Sequence, residues 1–255
     1  YFVTRALPAE IWIIRAKNTS KKKKSFSLFP FAELVVGDVA SELVYRNILC
    51  LYNEARYEPS VNGIIARKIP HTARPVDVAG FFGATRKPFR YETEKEAFYG
   101  RFGGPHAPGV LLSGADLRGR PDAVAAVKSN GHGAAGADSR GVDMVGALQF
   151  DLDLAPGAEE EFAVVLGFGE NAAAAAKTFA PLSKISACRA ELDAVRAYWN
   201  EKISKLVVET PDKDVDLMTN IWGRYQLFAI THWRGTSQYH GGEGGLGYRD
   251  TAQDV

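Results

Sequence analysis

The residues best suited to chemistry crowd the end of the 255-residue chain. They are Trp233-Arg234-Gly235-Thr236-Ser237-Gln238-Tyr239-His240, a glycine run, then Tyr248-Arg249-Asp250-Thr251-Ala252-Gln253-Asp254. Carboxylates and guanidinium groups grip hydroxyls through charge-assisted hydrogen bonds, and aromatic rings pack on the apolar faces of a pyranose. A glycine-rich backbone lets the chain approach such a ligand closely. Arg249 and Asp250 are sequence neighbours. On a regular helix they would diverge, whereas in a loop both can reach one ligand. A solvated charge pair competes with that reading on even terms.

Other chemistries find less support. Gly242-Glu243-Gly244-Gly245-Leu246-Gly247 spells the dinucleotide fingerprint, but the preceding segment reads as a helix and a polar loop, with no βαβ unit around it. None of the five histidines forms a metal-ligand pair at helical or finger spacing, so no metal is expected. His232 and His240 stay open as sugar contacts by location alone. No serine sits in a nucleophile elbow, and no phosphate-binding P-loop is present.

The elements that must position the tail begin with strands. The alternation of Trp12, Ile14 and Ala16, a turn at Asn18-Thr19-Ser20 and the lysines, then Phe26, Leu28, Ala32, Leu34 and Val36 predict a β-hairpin over 11–36. Pro30 inside the second run marks an edge strand or a bulge. Further strands are expected at 44–52, 63–69, 76–82, 146–154 and 161–167, the last two forming a hairpin around Ala155-Pro156-Gly157. Short strands with no helix between them predict stacked antiparallel sheets. The stretch 103–140, rich in glycine, alanine and proline, reads as a long surface excursion.

From Glu170 the texture changes. Asn171 caps a short alanine-rich helix ending before Pro181, and a longer helix follows over about 186–206. Thr210 as N-cap and Pro211 in the first turn start another, with Val215, Met218, Trp222 and Tyr225 as its apolar stripe. The fold class expected is α+β and multidomain: an antiparallel β-sandwich over 1–169, a helical linker over 170–209, and the first part of a helical domain over 210–255.

Bulk composition fits a globular protein, with 46% hydrophobic and 24% charged residues. The formal net charge is +1, from 31 basic and 30 acidic residues, so no basic excess marks a nucleic-acid partner. Lys21 to Lys24, the one basic run, reads as a solvated turn rather than a membrane patch, and no apolar run has the length of a span. Cys50 and Cys188 are expected as buried free thiols of a reducing, cytoplasmic compartment. The chain opens on Tyr1 in strand-like sequence, with Met144 and Met218 deep inside, and is expected to be part of a longer protein.

Gly247-Tyr248-Arg249-Asp250-Thr251-Ala252-Gln253-Asp254 resembles the signature of glycoside hydrolase family 94, the inverting phosphorylases of cellobiose and chitobiose, and is nearer the chitobiose type. Val208-Glu209-Thr210-Pro211-Asp212, Asn220-Ile221-Trp222, Tyr225-Gln226, Glu10-Ile11-Trp12 and Glu96-Ala97-Phe98-Tyr99-Gly100-Arg101 are similar to the same family. The resemblance implies that 210–255 opens an (α/α)6 barrel. It implies that Arg249 and Asp250 hold the sugar whose bond is cut, with Arg234, Tyr248 and Gln253 also substrate-binding. No catalytic residue is expected in this chain, because the general acid of the family falls beyond Val255. Inorganic phosphate would be co-substrate, with no other cofactor, the partner would be an oligosaccharide, and a homodimer is implied. Some family members carry an arginine near Gly244 that this chain lacks, which leaves room for a hydrolase or transglycosylase on the same scaffold. A non-catalytic carbohydrate-binding module is the alternative from another class.

Overall fold

A computed structural model describes residues 1–69, 78–123 and 137–233. The chain divides into two compact units, Tyr1–Leu192 and Asp193–Val255, each taken by itself below.

The first unit is an antiparallel sandwich. Its larger sheet has seven strands in the order β1 (Phe2–Val3), β2 (Ala9–Lys17), β11 (Glu159–Gly169), β7 (Ala79–Ala84), β6 (Gly63–Lys68), β5 (Asn53–Glu58) and β9 (Ser139–Arg140). The smaller sheet is built around β10 (Met144–Leu154). β3 (Lys24–Leu28) and β4 (Phe31–Leu34) run along one of its edges, and β8 (Arg90–Glu94) along the other.

Residue alternation explains how the layers stack. On the large sheet Ile64, Phe82 and Val164 point into the core shared with Leu148 and Phe150 of the small sheet, while their neighbours Ile65, Phe81, Ala163 and Val165 point the other way. That outer face is covered by Ala175 and Phe179 of α4 (Ala172–Phe179), by Leu182, and by Cys188 of α5 (Ile185–Ile203). Runs such as Ala163-Val164-Val165 are apolar throughout because both faces of the strand are buried. Gly83 permits the close approach of α4, since a Cβ there would lie 2.6 Å from Val61 O and 3.0 Å from the Phe179 ring. The outer face of the small sheet is closed by Phe98 and Tyr99 of α2 (Lys95–Tyr99) and by Leu117. α3 (Gly109–Ser113) follows α2.

Neither predicted hairpin forms. β2 pairs with β1 and β11, whereas β3 pairs with β10, so the turn after Lys17 carries the chain from one sheet to the other. The Pro156-Gly157 turn does the same between β10 and β11. Buried Asn18 ties the two crossings together. Its Nδ2 donates to Lys22 O and Leu154 O, both at 2.8 Å, its Oδ1 accepts from Ser20, and its backbone bonds with Gly157 and Ala158. Pro30 marks an edge, as expected, and not a bulge. Phe150↔Leu28 and Ala147↔Phe31 keep one register across it, and Leu148 N donates to Pro30 O. Pro30 lacks an N–H, which an edge tolerates.

The strand expected at 44–52 is a helix, α1 (Val39–Leu49), followed by a 3-10 turn over Cys50–Tyr52. Asp38 caps it by accepting from Ser41 N at 2.8 Å, which overrides the strand-like run of apolar residues. Helices α1 to α3 thus interrupt the strand succession. Within 103–140 most of the described residues are exposed, as a surface excursion requires, but the segment is anchored to the sandwich. Leu117 is buried, Gly119 bridges to Tyr91, and Arg118 grips buried Glu92. The expected strand at 76–82 survives from Ala79 onward, its first residues lying outside those described.

In the second unit the C-terminal half of α5 is followed by α6 (Lys213–Leu217), a π-helical turn (Met218–Gly223) and α7 (Arg224–Trp233). The N-cap of α6 is Asp212, whose carboxylate accepts from Asp214 N and Val215 N, and not Thr210. Thr210 instead bonds Asp216 from both its N–H and its hydroxyl, one step before the helix.

Candidate functional site

The sugar-site residues expected from sequence, Arg234, Tyr248, Arg249, Asp250 and Gln253, lie outside the described residues, as does His240. What the structure supplies is the approach: Arg234 follows in sequence on Trp233, the last residue of α7.

That approach is held at three points within the second unit. The Trp199 ring of α5 meets Tyr225 at 5.2 Å and Phe228 at 5.3 Å, both edge-on, a geometry that adds about 1 kcal/mol per pair to simple burial. Asn220, in the π-helical turn, exchanges two hydrogen bonds with Val208: its Oδ1 accepts from Val208 N at 2.8 Å and its Nδ2 donates to Val208 O at 2.7 Å. Arg224 donates to Ile203 O, satisfying a carbonyl at the end of α5. Asp216, held below the usual carboxylate range by its hydrogen bond from Lys213 and by Thr210, fixes the segment before α6. The motif residues Thr210, Asp212 and Asn220 are therefore architectural in what they touch. The predicted stripe of Val215, Met218, Trp222 and Tyr225 stands exposed.

Among the clefts of the sandwich, two contrast in character. One, of about 720 Å³, is lined mainly by apolar residues including Val36, Val78, Leu166 and Phe168, with Glu10 and Glu33 among them. The Trp12 indole N–H engages Glu10, and Lys95 engages Glu33 at 2.8 Å. The other, of about 360 Å³, lies against α2 and brings Lys95, Glu96 and Arg101 together with Asp143 and Cys50. Burial, with Glu33 close by, pushes the Tyr99 phenol up to about 12, so it stays a neutral hydroxyl. Charges that sequence reading missed are Glu42, paired with Lys68, and Glu92, gripped by Arg118 through both oxygens. Nothing in the local sequence marks them, because their partners lie 26 positions away in each case. Among the described residues no group of three or more histidine, cysteine, aspartate or glutamate side chains is placed to hold a metal ion. No helix among them is long and apolar enough to cross a membrane. Cys188 is a buried free thiol as expected, whereas Cys50 is only half-buried, its thiol donating to Asn47 O.

The sandwich and the tail that follows it define the class. The chain belongs to glycosyl hydrolase family 94: residues 1–184 match the glycosyl hydrolase 94 supersandwich domain, and 198–255 match the catalytic domain of the glycosyl hydrolase 94 superfamily. Among its relatives, an N,N'-diacetylchitobiose phosphorylase of Vibrio proteolyticus is 27% identical, over 100% of this chain and 29% of that protein. A solabiose phosphorylase of Paenibacillus borealis is 28% identical over the same shares. A cyclic beta-(1,2)-glucan synthase of Rhizobium meliloti is 25% identical, over 99% of this chain and 8% of its own length. The chain thus spans under a third of the length of the phosphorylases it matches.

Proposed function

We propose that the protein to which this chain belongs is an inverting glycoside phosphorylase. It would cleave a β-linked glucose or N-acetylglucosamine disaccharide with phosphate to give an α-sugar 1-phosphate. One observation carries the reading: the stretch matching the family's catalytic domain ends in Tyr248-Arg249-Asp250-Thr251-Ala252-Gln253-Asp254, a set built to grip hydroxyls. Residues 1–169 act as the sandwich, 170–209 as the linker and 210–255 as the opening of an (α/α)6 barrel. The exposed apolar stripe of α6 and α7 supports that division, as a surface made for further helices. The two unbridged thiols support a cytoplasmic location.

The chemistry is economical. An inverting glycosidase needs an acid for the leaving oxygen and a base to activate water. Phosphate is already anionic, so one protonated carboxyl together with cationic and backbone donors suffices. In this scheme Arg249 and Asp250 hold the sugar whose bond is cut, Arg234, Tyr248 and Gln253 complete the grip, and the acid comes from elsewhere in the parent protein. The chain alone is then inactive. In the parent protein, Asp250→Asn and Arg249→Ala should each lower kcat/KM for the disaccharide at least about 100-fold, the loss of a charge-assisted contact. Sugar binding that survives both changes would favour the non-catalytic binding module. The glucan synthase among the relatives supports a second reading, transfer to a sugar acceptor on the same scaffold.

A further inference from the structure

The side chains that tie α6, the π-helical turn and α7 to the segment before them recur at every fourth position. Asp216 accepts from Thr210 N at 2.7 Å and from the Thr210 hydroxyl at 2.9 Å. Asn220 exchanges its two hydrogen bonds with Val208. Arg224 donates to Ile203 O, and Phe228 meets the Trp199 ring at 5.3 Å, with Tyr225 on the same ring at 5.2 Å. As the helix advances its partners run backwards, from Thr210 to Trp199. A regular helix could not keep to that line. Each step of four residues overshoots a turn of 3.6 by about 40°, which would fan the four positions over about 120°. The π-helical turn removes the excess. Closing at five residues rather than four, it takes up one surplus residue, about 100° of rotation, and returns the positions to within about 20° of one line. Leu217, Met218 and Arg224, at its two ends, keep right-handed helical backbone, so α6, the turn and α7 form one continuous helix. Gly223 suits the tight closure, since a Cβ there would lie 3.1 Å from Met218 O.

We propose that this turn, locked by Asn220, is a positioning device for the sugar site: it sets the azimuth at which α7 ends, and so where Arg234, the next residue in sequence, begins. Asn220 sits inside the turn, bonds both main-chain polar groups of Val208, and receives Arg224 Nη2 at 3.5 Å. Asparagine is a poor residue for a helix interior, and here its side chain clamps the helix to a neighbouring segment. Without that clamp little holds a turn of five residues against the commoner four. Reversion to regular α-helix would swing everything beyond the turn by about 100°. The inference rests on the reading of Arg234 as a sugar contact, and it makes Asn220 a positioning residue that never touches the sugar.

Calorimetric titration of the parent protein with N,N'-diacetylchitobiose and with cellobiose tests it. Asn220→Ala should weaken binding of the disaccharide that the wild type takes by at least about 10-fold, the loss of one hydrogen bond to a charged group, with an unchanged far-UV spectrum. Deletion of Thr219, an exposed residue of the turn, should then rescue that variant. A regular helix one residue shorter carries α7 at its original azimuth, so affinity should return to within about threefold of wild type. Deletion of Ala229, beyond the turn, rotates the chain end by about 100° with no surplus residue to absorb it, and should weaken binding as strongly as Asn220→Ala. Wild-type affinity in Asn220→Ala, no rescue by the Thr219 deletion, or wild-type affinity in the Ala229 deletion would each overturn the proposal. Should the Ala229 deletion fail to fold, Asn220→Ala and its rescue decide. Arg234→Ala tests the underlying reading separately: undiminished binding there counts against Arg234 as a sugar contact, whereas undiminished binding in Asn220→Ala counts against the positioning role. A wild type that binds neither disaccharide would overturn both.

Discussion

At the scale of single residues, burial separates the two cysteines. Burial pushes the Cys188 thiol up from its ordinary value of 9.0 to about 11, while Cys50 is half-buried beside the cleft at α2. Iodoacetamide at mildly alkaline pH should therefore label Cys50 in the native chain and Cys188 only after denaturation, as peptide mass spectrometry would show. The direction with pH follows. A thiol whose folded value is raised favours the folded state fully below its unfolded value, and loses that contribution as pH rises through the interval from 9.0 to about 11. Equal native labelling of both thiols would contradict this packing. The sequence marked the setting of Cys188 as apolar, and its burial was legible. The position of Cys50 was not, because it depends on a helix that propensity misassigned as a strand.

At the scale of elements, the edge character of Pro30, the Asn171-capped helix and the strands β6, β10 and β11 were legible from local chemistry. The partners of those strands were not. A turn signal such as Pro156-Gly157 states that the chain reverses, but not whether it returns to the same sheet or crosses to the facing one. The residue that decides is Asn18, whose amide serves carbonyls from both crossings. Asn18→Ala should cost about 2 kcal/mol, because it removes the side-chain donor to the carbonyl of buried Leu154. The midpoint of urea unfolding would register that loss, and a value within a few tenths of wild type would show that the crossings hold without the clamp. α1 was missed for a related reason: its outward run of Leu43, Val44 and Ile48 reads as a strand unless the Asp38 cap and the inward Glu42 are weighed together.

At the scale of the whole molecule, the layered sandwich was legible from short alternating strands, and the family from the tail signature together with the motifs upstream of it. The depth of the layering was not, because the covering of both sheets by helices depends on contacts between residues distant in sequence. The functional account rests on phosphate as the acceptor of the cleaved sugar. The parent protein, incubated with N,N'-diacetylchitobiose or cellobiose with and without inorganic phosphate, tests that claim most directly. The account predicts release of an α-sugar 1-phosphate only when phosphate is present, in amounts equal to the free sugar formed. Turnover that continues unchanged in the absence of phosphate would contradict it.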